Sequence, residues 1–275
     1  MLDYIYKHYE STPSTNDEAK QLINDYCPEG TVLYTDEQTD GKGRSGRSWK
    51  SYKGESIATS LVLYPTLPQE AIPNITLVAA LSVRSAIKRF SGLDCVIKWP
   101  NDIVCNNKKL CGILTERIIV DGKNAVIVGI GVNVKNTHFP EGLEDIATSV
   151  LKEVLAEKDE MNAVLKDESD KNYNNDVVDK LKGDATTELM YLIWDRFNEY
   201  YDIFIKTGNM AGLVDEYNNN LINIGRVVKA DDVMGEIKGV ALGIDDEGAL
   251  CISTMDGRKC VSAGEVSVRG LYGYI

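Results

Sequence analysis

Apolar positions along the chain switch between two periods. Residues 2–8 alternate as in a half-buried strand. A polar run, Ser11-Thr12-Pro13-Ser14-Thr15-Asn16-Asp17-Glu18, follows, and then Ala19, Leu22, Ile23 and Tyr26 recur at helical spacing. Ser14 is suited to cap that helix, and Asp17 in its first turn complements the dipole. Residues 31–35 and 56–64 are short and rich in β-formers, so both are predicted strands. Pro73 opens a helix that carries Ile75, Leu77, Val78, Leu81 and Ile87 towards Phe90. Cys95 to Trp99 reads as a strand stopped by Pro100. Residues 103–105, 110–120 and 125–134, with turns at Asn106-Asn107 and Asp121-Gly122, read as an antiparallel meander.

The second half is less regular. Residues 136–150, with Pro140 and Gly142, read as a loop able to close over a ligand. Residues 152–187 are acidic, rich in Lys and Asn and weakly apolar, which suggests a partly helical insertion. Residues 187–206 resume as an amphipathic helix with Leu189, Leu192, Ile193, Phe197, Tyr200 and Phe204 on one side, and a short helix follows near Leu213. From about Ile224 the texture changes to short strands: 226–230, 236–244, 249–254, 259–263 and 266–269. Turns at Asp246-Glu247-Gly248 and Asp256-Gly257 separate some of them, as in a small barrel. The expected architecture is a mixed α+β domain over 1–222, with a central sheet and flanking helices, and a small β module over 223–275.

A chain of 275 residues is long enough for one large and one small domain. Its net charge of -12 argues against non-specific nucleic-acid binding through a basic face. The six cysteines (27, 95, 105, 111, 251 and 260) include no C-x-x-C and sit mostly among apolar neighbours, so reduced, buried thiols are expected. His8 and His138 stand in no zinc-like spacing. No apolar run reaches the length of a membrane span, and no signal-peptide core opens the chain, so the cytoplasm is the expected location.

Against that acidic background residues 38–51, Gln-Thr-Asp-Gly-Lys-Gly-Arg-Ser-Gly-Arg-Ser-Trp-Lys-Ser, form a concentrated positive loop. Gly41, Gly43 and Gly46 alternate with Lys42, Arg44, Arg47 and Lys50, and after Asp40 no acid appears before Glu55. Glycines allow backbone N–H groups close to an anion, arginines add forked contacts, and Trp49 offers a flat wall for a ring. The spacing satisfies G-x-G-x-x-G, but no strand runs into Gly41 and Arg47-Ser48-Trp49 is a poor helix start, so the dinucleotide reading fails. No Walker loop is present. A solvated surface loop is the plain alternative.

Gly41-Lys42-Gly43-Arg44-Ser45-Gly46-Arg47-Ser48-Trp49 resembles the GRGRxGRxW loop of biotin protein ligases. Lys98-Trp99-Pro100-Asn101-Asp102 resembles that family's KWPND, Lys109 to Glu116 its KLxGIL-x-E, and Gly129-Ile130-Gly131-Val132-Asn133 its GxGxN strand. Gly243-Ile244-Asp245 with Gly248-Ala249-Leu250 is similar to the family's C-terminal SH3-like module. The motifs stand in the family's order from about residue 10 to 135. The chain departs at Lys42, where the family has Arg; the charge is kept and the planar fork is lost.

The resemblance implies a class II synthetase-like catalytic domain, with an SH3-like β-barrel. It also implies an ATP-dependent ligase that forms biotinyl-5′-AMP and transfers biotin to a lysine of a biotin carboxyl carrier protein. Lys109 and Arg44 are the implied catalytic cations at the biotin carboxylate and α-phosphate. Ser14, Thr15, Asn16, Gln38, Lys42 and Gly43 would join them around biotin. Gly41, Arg47, Trp49, Lys98, Asn101, Asp102, Gly112, Gly131, Asn133 and Arg269 would serve ATP and the adenylate, with Trp49 against adenine and Mg²⁺ near Asp102. Plainer readings stand beside these: a capped helix at Ser14, an exposed turn lysine at Lys109, and a common turn at Pro100-Asn101-Asp102. A lipoate-type protein ligase and a non-catalytic biotin or nucleotide sensor are the competing functions. No helix-turn-helix precedes residue 1, so a DNA-binding repressor role is not expected. An exposed strand of the central sheet would serve a homodimer or the docking carrier.

Overall fold

The computed structural model describes residues 1–164, 173–232, 235–263 and 267–270. Its larger sheet has seven strands: β1 (Ile5–Tyr9), β2 (Thr31–Thr35), β3 (Ser56–Leu63), β4 (Val96–Lys98), β5 (Asp102–Cys105), β6 (Lys108–Val120) and β7 (Lys123–Asn133). Their order is β1-β2-β3-β7-β6-β5-β4. β1 and β2 pair in parallel, joined by helix α1 (Thr15–Asn24). The other neighbours are antiparallel, as the meander pattern requires. β3 is buried along its whole length, and β7 almost so, because elements cover the two faces there.

One face carries α2 (Ile75–Ser91) and α5 (Ala185–Thr207). α2 is apolar nearly all round, since it lies between the sheet and α5. Trp194, Phe197 and Phe204 of α5 are fully buried against it. Both helices end on left-handed glycines, Gly92 at φ +83° and Gly208 at φ +74°, whose N–H groups close onto Lys88 and Phe204 carbonyls. Short helices α3 (Val150–Val164) and α4 (Tyr173–Lys182) occupy most of the acidic stretch. Val154, Val178 and Leu181 are buried in the main core, so both flanks of that stretch pack on the domain; residues 165–172 lie outside the described residues.

The other face carries α1, through Ala19 and Ile23 against Leu33, Val62, Ala125 and Ile127. Tyr26 does not join this stripe: the helix ends at Asn24, Tyr26 takes φ +58°, and the residue is 73% exposed. α1 covers part of the face and leaves the middle of β6 and β7 for the 38–51 loop.

After α6 (Val214–Asn219) come β8 (Val227–Asp232), β9 (Gly235–Ile244), β10 (Leu250–Thr254), β11 (Gly257–Val261) and β12 (Ser267–Gly270). They form an antiparallel sheet in the order β11-β10-β9-β8-β12, and among the described residues no ladder joins β11 to β12. Its core residues, Ala241, Leu250 and Ile252 among them, belong to the same apolar cluster as the larger sheet. Asn218 and Ile244 exchange two hydrogen bonds of 2.7 and 3.0 Å, and Asn74 Nδ2 donates to the Glu247 carbonyl at 2.8 Å. Trp99 Nε1 reaches the Gly248 carbonyl at 3.4 Å.

The cysteine expectation holds for four residues: Cys27, Cys95, Cys105 and Cys111 are free and buried. It fails for two. Cys251 and Cys260 face each other across β10 and β11 and are joined as a disulfide, and Cys260 is exposed. Sequence neighbours could not reveal this, because strand register brings the pair together. Among the described residues no helix is long and apolar enough to cross a membrane.

Candidate active site

The floor of the site is made of absent side chains. Gly112 on β6 is paired with Gly131 on β7, and Leu114 with Gly129. A Cβ at Gly129 would run into the Asn16 amide, and one at Gly131 into the Trp49 indole. At Gly112 it would lie 3.1 Å from Trp49 and 3.2 Å from Lys109 Nζ. Helix α1 and the 38–51 loop therefore reach the sheet surface itself.

Ser14, Thr15 and Asn16 open α1 and are all buried. Ser14 holds the N-cap position with extended backbone, but its hydroxyl makes no capping bond; it faces the cleft. Thr15 donates to Gln38 Oε1 from both N (2.9 Å) and Oγ1 (3.1 Å). Asn16 is held from both ends. Its Oδ1 lies 2.6 Å from the Ser60 hydroxyl, and its Nδ2 donates to Glu116 Oε2 at 2.8 Å and the Leu114 carbonyl at 3.3 Å. Lys20 Nζ completes the cluster at 2.8 Å from Glu116 Oε1. Burial works against the Lys20 charge, but Glu116 and Asp17 outweigh it and raise its pKa.

The positive loop is a tight hairpin: Gly43 N donates to Arg47 O, and Trp49 N to Gly41 O, both at 2.7 Å. Ser45 at φ 56° and Gly46 at φ +72° turn the chain at its tip. Lys42 pairs with Asp17 of α1, which ties the loop to the first turn of that helix. Burial would push Asp17 up, but hydrogen bonds from Lys42 and Lys20 dominate and hold its carboxyl below the usual range.

Beyond the loop lies a charged centre. Arg44 Nη1 donates to Asn101 Oδ1 at 3.0 Å, and its Nη2 to the Ala263 carbonyl at 3.2 Å. Lys109 Nζ meets Asp102 Oδ1 at 2.6 Å, and Asn101 Nδ2 lies 3.2 Å from the same oxygen. Lys98 is buried on β4, opposite Asp102 in the ladder. Burial lowers the pKa of both Arg44 and Lys98; Asp102 works the other way, and nearby Arg47 adds to the lowering. Asp102 thus acts on Arg44, Lys98 and Lys109, with Arg47 close by, which is an environment for an anion.

A second recess adjoins the first on the far side of Trp49. Arg47, Trp49, Lys109 and Asn133 line it together with Phe139 and Leu143. Its outer wall, the 136–149 loop, is hydrogen-bonded to β6: Lys109 N donates to Ile146 O at 2.7 Å, and Thr148 N to Lys109 O at 2.9 Å. Asn133 spends its amide on this wall, donating to Thr148 O at 3.0 Å.

Residues 9–133 match the Biotin/lipoate A/B protein ligase family, and residues 224–269 match the Biotin protein ligase C terminal domain. The chain is 30% identical to the biotin–[acetyl-CoA-carboxylase] ligase of Paracoccus denitrificans, over 94% of this chain and 98% of that one. It belongs to the biotin protein ligases. The bifunctional ligase/repressor BirA of Bacillus spizizenii is 34% identical over 93% of this chain and 71% of its own length. The biotin protein ligase from Aquifex aeolicus in complex with biotin and ATP superposes with a TM-score of 0.75 at 27% identity, covering 96% of this chain and 98% of that chain.

Within this ligase fold the structure gathers most sequence-predicted residues into one place. Ser14, Thr15, Asn16, Gln38, Lys42, Gly43, Arg44, Trp49, Asn101, Lys109, Gly112 and Gly131 line a single cleft. Gly41 is buried behind it against the Trp49 backbone. Arg269 stands on β12 opposite Lys229, and its side chain lies outside the described residues. Sequence reading missed Ser60, Lys20 and the Ala263 carbonyl, and gave Glu116 no role. Glu116 carried a signal: it follows Gly112 and Leu114 at two-residue spacing, hence on the cleft face of β6.

Proposed function

We propose that this chain activates biotin with ATP to biotinyl-5′-AMP and transfers the biotinyl group to a lysine of a biotin carboxyl carrier domain. One observation carries the reading: Lys109 and Trp49 stand where two recesses meet, a polar one at the start of α1, also lined by Arg44, and one walled by Trp49 and the 136–149 loop. The buried amide of Asn16 and hydroxyls of Ser14 and Thr15 suit the ureido ring of biotin. The Trp49 face suits adenine. The biotin carboxylate and the α-phosphate would then meet between Arg44 and Lys109.

The carboxylate attacks phosphorus, pyrophosphate leaves, and negative charge builds on the α-phosphoryl oxygens. Cations already fixed at that point lower the barrier, each by about 3 kcal/mol. Lys109 would exchange its Asp102 partner for these oxygens. Lys98 and Arg47 suit the departing pyrophosphate. Asp102 and Asn101 are the oxygen donors that fit Mg²⁺, which supplies charge neutralisation on the phosphates when it accompanies ATP. In the second half-reaction the carrier lysine amine attacks the acyl carbon and AMP leaves; ordering of the 38–51 loop over the adenylate would keep water from it until then. We take residues 1–222 as the catalytic unit and 223–275 as the C-terminal module.

Biotin-dependent ATP–pyrophosphate exchange tests this directly. Wild type should exchange with biotin and not with lipoate, and Lys109→Ala should lower the rate about 100-fold or more. Exchange supported by lipoate instead would replace the reading with lipoate ligation, which the family model for residues 9–133 also includes.

A further inference from the structure

The C-terminal sheet carries a pair of cysteines. Cys251 and Cys260 are directly opposed in the β10–β11 ladder and disulfide-bonded. The two sulfurs differ in surroundings. Cys251 is 1% exposed, whereas Cys260 is open to solvent. Arg258 Nη2 lies 3.0 Å from Cys251 Sγ. The Asp245 carboxylate is 3.6 Å from the same sulfur, with its other oxygen held by Glu247 N at 3.1 Å and Ala249 N at 2.9 Å. One sulfur can be attacked from outside, and the other can leave as a thiolate beside a guanidinium.

The strand bearing Cys260 leads straight into the catalytic centre. β11 ends at Val261, and two residues later the Ala263 carbonyl accepts from Arg44 Nη2 at 3.2 Å. Ser262 and Ala263 also line a cavity shared with Arg44 and Arg117.

We propose that Cys251 and Cys260 form a reversible thiol–disulfide site, exchanging with low-molecular-weight thiols, whose state sets how firmly Ala263 holds Arg44. In reduction an external thiolate attacks Cys260 Sγ, the protein S–S bond breaks, and its electron pair goes to Cys251, whose thiolate sits beside Arg258. A second external thiolate then attacks the external sulfur of the mixed disulfide and releases the Cys260 thiolate. Two external thiols become one disulfide, and the protein pair gains two electrons. Oxidation by an external disulfide runs the same steps backwards. The link to Arg44 rests on the ligase reading; the exchange chemistry does not.

The test equilibrates the full chain in buffers of reduced and oxidised glutathione, quenches with an alkylating agent, and maps the tryptic peptides by mass. Cleavage after Lys259 separates the two cysteines, so a linked peptide reports the bond. The expected result is a linked 251–260 pair that titrates to two alkylated thiols, with Arg258→Leu slowing reduction about threefold or more. Pyrophosphate exchange is then measured on both forms. The KM for ATP should differ at least about threefold between oxidised and reduced wild type, and Cys260→Ser should match the reduced form at every buffer ratio. Two alkylated thiols at all ratios, a pair that takes up zinc instead, or equal KM values in linked and unlinked protein would each overturn the proposal. Absence of exchange activity in both forms would instead count against the ligase reading, and the peptide map would still decide the thiol chemistry.

Discussion

The two halves of the cleft are built on opposite principles. In the recess at α1 the polar side chains hold one another: buried Asn16 is gripped by Ser60 and Glu116, buried Thr15 by Gln38, and half-buried Glu116 by Lys20. The 38–51 loop is held mainly by its own hairpin, by the Lys42–Asp17 pair and by Arg44 contacts to Asn101 and Ala263, and most of its side chains are exposed. A neutral ring offers little charge to pull on, so its partners must be fixed beforehand. An anion can be captured by exposed cations that gain a partner on binding. Changes in the recess should therefore act on biotin affinity by large factors, and changes in the loop's tethers by small ones.

The sharpest break should come from the glycine floor. Gly129→Ala places a methyl where the Asn16 amide lies, with the opposing strands fixed on both sides. Biotin affinity measured by calorimetry should fall about 100-fold, as two ordered hydrogen bonds are displaced, while ATP affinity stays within about threefold. Equal losses for both ligands would mean that the sheet, not the recess, had been damaged. Glu116→Ala comes next. It leaves Asn16 Nδ2 with the longer bond to Leu114 O, and Lys20 without one carboxylate. Biotin affinity should drop about tenfold, and Glu116→Gln should restore part of it, because a carbonyl oxygen can still accept from Asn16.

How much of this was written in the chain follows the same division. Ser14-Thr15-Asn16, the 38–51 loop and Lys109 stand in contiguous runs whose residue types suggest their chemistry, so both were legible. Ser60 was not: it lies in an unremarkable strand and matters only because β3 pairs with β7 so that Ser60 meets Gly129 beneath Asn16. Asn133 was legible as a site residue, yet its amide turned out to serve the Thr148 wall. The Cys251–Cys260 pair was hidden for the same reason as Ser60, since both depend on strand register, which local pattern does not fix. The helices of the main domain were readable because their apolar stripes are long. The end of α1 was not, because Tyr26 happens to continue the spacing beyond the C-cap at Asp25.

The charged centre gives a pH test that the recess does not. Burial lowers the pKa of Lys98, with Lys109 and Arg47 adding to it and Asp102 opposing. A bound triphosphate favours the protonated lysine, so ATP affinity should fall as pH rises, with a midpoint below the ordinary lysine value of about 10.4. The fall should be about tenfold, the size of one charge-assisted hydrogen bond. Biotin affinity should stay flat across the same range, and Lys98→Arg should remove the alkaline limb. A limb that persists in the arginine variant would move the titration elsewhere.

The smallest effect expected is at the tether itself, and it asks whether Lys42 replaces the family's arginine with a latch. Lys42 and Asp17 are both partly exposed, at 43% and 32%, so their pair stabilises the closed loop by no more than about 1 kcal/mol. That corresponds to a change of about fivefold at most in the dissociation rate of the adenylate. Asp17→Asn and Lys42→Met should each speed dissociation by a few-fold, and the double variant should be no faster than either alone, because the pair can be broken only once. Since Lys42 and Lys20 hold the Asp17 carboxyl below its usual range, the contribution is complete at neutral pH. It should be lost only as pH falls below about 4, through the lowered value. Additive effects in the double variant would show that Lys42 acts on the ligand directly, as a cation of the loop.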